Sequence, residues 1–302
     1  MYTKITLLIA AILGVVLYNN YSPKNVVGNT KGKVVAITQI APHPSLDRIR
    51  QGIEDEITAA FGDKVKIEFQ SAQGNQALAT QIAHNFIGKN VDVLVAITTP
   101  SAQAIHAANS LHIPMVFAGI TDPIAAKLVE ENGANKENIT GVCDAPDIAK
   151  QVALIQEFMP KNSTIGFIYN PGETNSYVHV ERLEEKLQAA GFVVIKTPAY
   201  STGDVLQASQ GTVPNVNAIM LTNDNTVISA VDAVIQTARQ QGIPVFCSDP
   251  ESVKRGAKAA IAPDQYEMGR EAGKMVVRIL KGEMGHHIPV LHAPTSRFTA
   301  NS

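Results

Sequence analysis

The sequence predicts an α/β fold of two lobes, each a parallel sheet flanked by helices. Three observations predict it. From Val34 onward, short apolar runs alternate with amphipathic stretches, the pattern of strand–helix–strand crossovers. Runs such as VDVLVAIT (residues 91–98) carry almost no polar alternation, as expected of parallel strands covered on both faces. Finally, VDVLVAITTPSAQAIHAANSLHIPMVFAGITDP (91–123) and VNAIMLTNDNTVISAVDAVIQTARQQGIPVFCSDP (216–250) share one layout. Each opens on Val-Asp/Asn, then gives a buried strand, a Thr/Ser/Asn-rich turn, a helix, and Ile-Pro before a strand ending in Thr/Ser-Asp-Pro. One copy in each half implies two lobes of the same architecture.

Taken in order, VVAIT (34–38) reads as a strand. Leu46, Ile49, Ile53, Ile57 and Phe61 then recur at helical spacing before Gly62 as a stop. VKIEFQ (65–70) is a strand, Gln76 to Ile87 a helix, VDVLVAIT a strand and SAQAIHAANS (101–110) a helix. IPMVFAG (113–119) reads as a strand, PIAAKLVEENG (123–133) as a helix and NITGV (138–142) as a strand. The second half repeats the alternation: TIGFIYN (164–170), a helix over 175–190, FVVIKT (192–197) and NAIMLT (217–222). A helix over 226–241, IPVFCS (243–248), AAIA (259–262) and a helix over 265–281 complete it.

Composition narrows the function classes. In 302 residues, 45% are hydrophobic and 17% charged, the net charge is −2, and tryptophan is absent. That leaves neither a basic footprint nor stacking platforms for nucleic acid. Lys4 precedes ITLLIAAILGVVL (5–17), which has the length of a signal-peptide apolar region. Residues 1–31 are therefore expected to be a signal peptide or a membrane anchor, and the protein to work in the periplasm or otherwise outside the cytoplasm. Cys143 and Cys247 are expected as unpaired, half-buried thiols.

In open α/β sheets, ligands bind beyond the carboxyl ends of the strands, where helix N-termini converge. Those positions here are small and polar: HPSLD (43–47), TTPSA (98–102), TDP (121–123), PGETNS (171–176), TNDNT (222–226) and SDP (248–250). Each alone is what a helix start prefers as a cap. Collected on one edge of both lobes, they offer backbone N–H groups to an anion, and Asp122, Asp224 and Asp249 to a cationic amine. A zwitterion such as an amino acid satisfies both.

The chain resembles the periplasmic-binding-protein-like type I fold. Within it, the resemblance is to substrate-binding proteins of ABC transporters of the tryptophan/tyrosine-type group, over residues 33–298. The motifs that carry it are HPSLDRIRQGIEDE, VDVLVAITTPSAQA, IPMVFAGITDPIAAKLV, NITGV, TIGFIYNPGETNS, NDNTV and APDQYEMGREAGKMVVRILKGE, in that order. The resemblance implies two Rossmann-like lobes joined by three crossover strands, near GVCDAP, AIAPDQ and IPVLHAP. One lobe would comprise residues 32–142 and 264–288, the other 143–263 and 289–302. It further implies ligand contacts at Ser45, Thr99, Ser101, Thr121 and Asp122 from one lobe. The other would supply Asn175, Ser176, Asn223, Asp224 and Asp249, with Asp264 beside the hinge. Phe117 and Tyr177 are candidates for an apolar side-chain pocket. The cysteines would lie near the cleft mouth, where a disulfide would hinder opening.

Hinge closure over a small molecule, an aromatic or other amino acid, with delivery to an ABC permease, is the function implied; a membrane-tethered ligand sensor is the alternative. No cofactor, no metal, no catalytic residue and a monomeric state are expected. His286, His287 and His292 lack an acidic or thiol partner at ligand spacing, and His43 sits beside no recognisable nucleophile. Under this reading Asp224→Ala removes ligand binding and leaves the melting temperature of the free protein nearly unchanged.

Overall fold

The computed structural model describes residues 32–136 and 138–300, so the apolar segment 5–17 and the expected signal peptide or anchor lie outside the described residues. Strands β1 (Lys33–Gln39), β2 (Val65–Ser71), β3 (Val93–Ile97), β4 (Met115–Ile120) and β5 (Ile139–Cys143) come first. Next are β6 (Thr164–Tyr169), β7 (Val193–Pro198), β8 (Ala218–Leu221), β9 (Val245–Cys247) and β10 (Ala259–Pro263), then β11 (Leu291–His292) and β12 (Thr295–Thr299). They form two six-stranded sheets, ordered β2-β1-β3-β4-β5-β11 and β7-β6-β8-β9-β10-β12. Among the described residues, every pairing between these strands is parallel except β12 on β10. The common order is the structural form of the internal repeat.

The helices are α1 (Pro44–Phe61), α2 (Gln76–Gly88), α3 (Thr99–Ala108), α4 (Ile148–Phe158) and α5 (Thr174–Ala189). They continue with α6 (Val205–Thr212), α7 (Asn225–Ser229), α8 (Val231–Gln240), α9 (Pro250–Arg255) and α10 (Gln265–Leu280). Each sheet is covered on both faces. In the first lobe, Ala36, Leu94 and Phe117 pack toward α2 and α3, while Val35, Ile37, Val95 and Val116 meet Ile49, Ile53, Met268, Ala272 and Val276 of α1 and α10. The second lobe repeats this with a cluster on each face. That two-sided burial explains the unbroken apolar runs of β3 and β4.

The chain leaves the first sheet after β5 and returns after β10. It crosses a third time at Ala293–Pro294, because β11 pairs Leu291 with Val142 and His292 with Cys143. Residues 289–292 thus sit with the first lobe, not with the second as the sequence implied.

Three element readings are corrected. PIAAKLVEENG forms turns: Leu128 and Val129 donate to the Pro123 carbonyl, Lys127 takes φ +62°, and Val129 bridges Asn135. Its apolar residues serve the core from a loop. The helix expected over 226–241 breaks at Ala230 (φ −117°, ψ 24°) into α7 and α8. Helices α4, α6 and α9 had no counterpart in the sequence reading. Cys143 and Cys247 are free and fully buried rather than half-buried, and burial pushes both thiols far up.

The packing of α10 on α1 depends on two glycines. A Cβ on Gly269 would lie 2.1 Å from the Ile49 carbonyl oxygen, and one on Gly52 2.3 Å from that of Tyr266. Backbone cannot yield as a flexible side chain does. Gly269→Ala is expected to destabilise by roughly 3 kcal/mol, a melting drop of about 6–12 °C by differential scanning calorimetry. Gly211→Ala, with open space around it, should leave the melt nearly unchanged.

Candidate functional site

The C-terminal strand edges of both lobes face one cavity, the place where open α/β sheets bind small molecules. The first lobe contributes His43, Ser45, Leu46 and Ile49 at the start of α1, and Thr98 and Thr99 at the β3–α3 turn. Gly119 and Thr121 come from the end of β4 and Gln265 from the start of α10. Asp144 comes from the hinge after β5. The second lobe adds Asn175, the stretch 222–225, Ile228 and Ser229 around α7, and Ser248 and Asp249 after β9.

Local structure presents these groups. The His43 side chain caps α1, its Nδ1 accepting from the Ser45 N–H at 3.2 Å. Nδ1 is therefore the bare nitrogen, and Nε2 carries a proton. Burial holds the imidazole's pKa below the usual value, favouring this neutral form. Thr98 adopts φ +80° and ψ 157°, a conformation costly for a β-branched residue, and so turns β3 sharply into α3. No side chain caps α3, which leaves its first N–H groups for an anion.

Buried polar atoms are normally paired. Here His43 Nε2, Thr98 Oγ1, Thr99 Oγ1, Asn175 Oδ1 and Thr222 Oγ1 are buried without a partner, and all five belong to residues that line the cavity. Beside them lies an aliphatic surface of Leu46, Ile49 and Ile228. The lining contains no lysine or arginine.

The carboxylates of the cavity differ in how fully they are satisfied. Asp224 caps α7, accepting from Val227 N at 2.8 Å, and also from Asn170 N and Ser176 Oγ, each at 2.5 Å. Burial, then the nearby Glu173 carboxylate, pushes its pKa up. Asp249 caps α9, accepting from Ser252 N and Oγ at 2.7 and 2.5 Å, and it also accepts from the Ser45 hydroxyl across the cleft. Asp144 has only neutral side-chain donors, Thr121 Oγ1 at 3.3 Å and Asn223 Nδ2 at 3.0 Å. Burial pushes its carboxyl up to about 6. It is the cavity carboxylate with most capacity left for a cation.

Seven of the eleven residues expected from the sequence line the cavity: Ser45, Thr99, Thr121, Asn175, Asn223, Asp224 and Asp249. Four lie outside the lining. Ser101 is buried in the first turn of α3, and Ser176 is buried with its hydroxyl given to Asp224. Asp122 receives the Ile124 and Ala125 N–H groups and pairs with Arg182 of the other lobe. Asp264 caps α10 through the Glu267 N–H and faces a separate groove beside Tyr266. Phe117 is wholly in the core and Tyr177 is half exposed, so neither forms the apolar wall. His286, His287 and His292 border another groove, next to Asp122 and Arg182. Asp144, Thr98, Ser248 and the aliphatic surface are lining residues the sequence reading did not select. A carboxylate placed directly after a crossover strand was the available signal for Asp144.

The lobes meet across the cleft through Ser45–Asp249, Asp122–Arg182, Asn223 to Thr121 at 3.2 Å and Gln103 to Thr174 at 3.3 Å. The described arrangement is therefore closed.

Comparison with known proteins is decisive on family: the profile described as ABC transporter substrate binding protein matches residues 34–302. The chain belongs to the ABC transporter substrate-binding protein family. A tyrosine-binding protein of Clostridioides difficile (strain R20291) is 32% identical over 95% of this chain and 86% of its own. The structure of an ABC domain from Streptococcus pneumoniae in complex with L-Trp is 32% identical, with TM-score 0.83, covering 87% of this chain and 90% of that one. A ligand-free, open substrate-binding protein from Clostridium difficile is also 32% identical, covering 88% and 92%, but its TM-score is 0.65. This substrate-binding protein superposes better on the L-Trp complex than on the ligand-free, open structure, in agreement with the hydrogen bonds across its cleft.

The Asp122–Arg182 pair lies at the rim, with Arg182 half exposed. Exposed pairs contribute about 1 kcal/mol or less. Arg182→Ala is expected to speed ligand dissociation by at most about fivefold, and the effect should vanish in high salt, measured by stopped-flow fluorescence.

Proposed function

We propose that this protein captures an amino acid with an apolar or aromatic side chain between its lobes and hands it to the membrane permease of an ABC importer. The observation that carries the reading is the convergence of unpartnered polar atoms from both lobes on one cavity, beside an under-satisfied carboxylate. The ligand's ammonium group pairs with Asp144. Its carboxylate takes the α3 N-terminus, the Thr98 and Thr99 hydroxyls and the His43 Nε2 proton. The side chain lies against Leu46, Ile49 and Ile228. A cavity without lysine or arginine disfavours ligands of net negative charge. The L-Trp complex and the tyrosine-binding relative support the aromatic choice. Closure desolvates the ligand, so a closed population builds only as far as the ligand prefers that state. The protein acts outside the cytoplasm as a monomer, directed or tethered there by residues 5–17, and releases its ligand chemically unchanged.

A thermal-shift series tests this. L-Tyrosine or L-tryptophan at a hundred times its dissociation constant should stabilise by about 2.7 kcal/mol, several degrees in melting temperature. Tyramine, without the carboxylate, and the deaminated acid should each do far less. No shift with any amino acid at millimolar concentration, alongside a shift with a polyol such as myo-inositol, overturns the reading.

Affinity should also depend on pH. In the free protein Asp144 titrates near 6, and only the ionised form attracts an ammonium group. Affinity is therefore expected to be flat above about pH 7 and to fall up to tenfold per unit below about pH 5.5, as read by isothermal calorimetry. An unchanged affinity at pH 4.5 would remove Asp144 from the amine site.

A further inference from the structure

Behind the cavity lies a buried polar chain whose two ends, Asn223 and Ser248, line it while its middle does not. His179 on α5 is fully buried. Its Nδ1 accepts from the backbone N–H of Asn223 at 3.1 Å, and its Nε2 lies 2.9 Å from Gln151 Oε1 on α4. With Nδ1 engaged as acceptor, the proton belongs on Nε2 and is donated to Gln151. That fixes the Gln151 amide, whose Nε2 donates to Ser248 Oγ at 3.0 Å. Ser248 uses a lone pair inward and keeps its own proton for the cavity it lines. At the other end, the Asn223 side chain donates to Thr121 Oγ1 and Asp144 Oδ2 at 3.2 and 3.0 Å. Asn223 thus donates both ways, its side chain to the first lobe and hinge, its backbone N–H into a directional chain that ends on Ser248 at the floor of the second lobe.

We propose that His179 is a positioning residue with two outputs. It anchors the Asn223 loop so that its amide reaches the first lobe on closure, and through Gln151 it sets the Ser248 hydroxyl as a donor to an acceptor group of the ligand. The second output rests on the amino-acid reading above; the first does not. A neutral imidazole is required, because a second ring proton would face the Asn223 N–H. Burial, with a smaller effect from Arg182, holds the pKa of His179 down at about 3, so the chain keeps its direction throughout the physiological range. Histidine suits the position because its two nitrogens serve two helices' worth of partners from one rigid ring.

Two substitutions separate the outputs. In His179→Asn the side-chain oxygen stands where Nδ1 was and keeps the Asn223 contact; in His179→Gln the amide stands where Nε2 was and keeps the Gln151 contact. The readouts are the closed fraction of the ligand-free protein, from electron spin distances between labels at Lys89→Cys and Lys186→Cys, and the affinity and dissociation rate of L-tyrosine. The two native thiols are buried and leave the labelling specific. His179→Gln is expected to lower the closed fraction severalfold and speed dissociation about tenfold, with association unchanged. His179→Asn should keep the closed fraction and lose about tenfold in affinity. Gln151→Met, which breaks the chain without touching His179, should behave as His179→Asn does and decides that arm should either histidine variant not fold. A residue that merely fills the core would move both readouts together with the melting temperature. That result, or both readouts within twofold of wild type in both histidine variants, overturns the proposal. Should wild type not bind L-tyrosine, the ligand reading fails, and the closed fraction of His179→Gln alone decides the anchoring role.

Discussion

Asp144→Asn is expected to weaken amino-acid binding about a hundredfold while leaving the free protein at least as stable as wild type. The substitution keeps the shape and the acceptor for Asn223, turns its NH2 toward the Thr121 hydroxyl, which can accept in place of donating, and removes the charge. Losing a desolvated partner for an ammonium group costs on the order of 3 kcal/mol, which is about a hundredfold in dissociation constant. The stability side has the opposite sign. Burial raises this carboxyl to about 6 in the folded protein, above the unfolded value near 4. Its contribution is therefore fully present below about pH 4 and is lost as pH rises through 6. At pH 7.5 the wild-type carboxylate destabilises the free protein by on the order of 2 kcal/mol, a penalty the asparagine does not carry. Calorimetric titration and melting curves at pH 7.5 and pH 5 check both halves. The melting advantage of the variant should shrink at the lower pH. A variant that binds normally, or that melts well below wild type, contradicts the assignment.

Asp224→Ala is expected to unfold the second lobe's binding edge rather than silence the site. The change strands the Val227 and Asn170 N–H groups and the Ser176 hydroxyl, all of which donate to this carboxylate. An orphaned buried donor costs about 1–3 kcal/mol, and loss of a helix cap about 1 kcal/mol. The free protein should lose roughly 3–5 kcal/mol, a melting drop on the order of 10 °C. This reverses the expectation from sequence, in which the free protein melted unchanged. Neighbouring Glu173 reinforces the point: its side chain accepts from Asn175, Asn225 and Thr226, tying α5 to α7. A melting temperature within 2 °C of wild type would restore Asp224 to a pure ligand role.

These two carboxylates show what the sequence disclosed of the site and what it hid. The strand-end positions were legible because β3, β4, β8 and β9 are unbroken apolar runs ending in hydroxyls, amides and acids. Roles were not legible, because a cap and a ligand contact use the same residue types. Asp122, Asp224, Asp249 and Asp264 all turned out to hold backbone N–H groups. Asp144 caps nothing and so carried no helix-start signature. Leu46 and Ile49 were read as the buried stripe of α1; that they also reach the cavity depends on where the second lobe closes.

The fold was more legible, with informative exceptions. The repeat foretold two lobes of one architecture, and the shared strand order of the two sheets is its structural form. PIAAKLVEENG has helical composition, but Leu128 and Val129 can enter the core from turns once their N–H groups find Pro123. The close contact of Gly269 with Ile49 and the chain from His179 to Ser248 both join residues far apart in sequence. No local pattern announces either.

Small-angle X-ray scattering of the purified protein, titrated with L-tyrosine, tests the central claim most directly. If two matched lobes clamp the amino acid, the radius of gyration should fall in step with occupancy to the value calculated for the closed arrangement described above. A radius that stays constant, or grows, while the ligand saturates would contradict capture by closure.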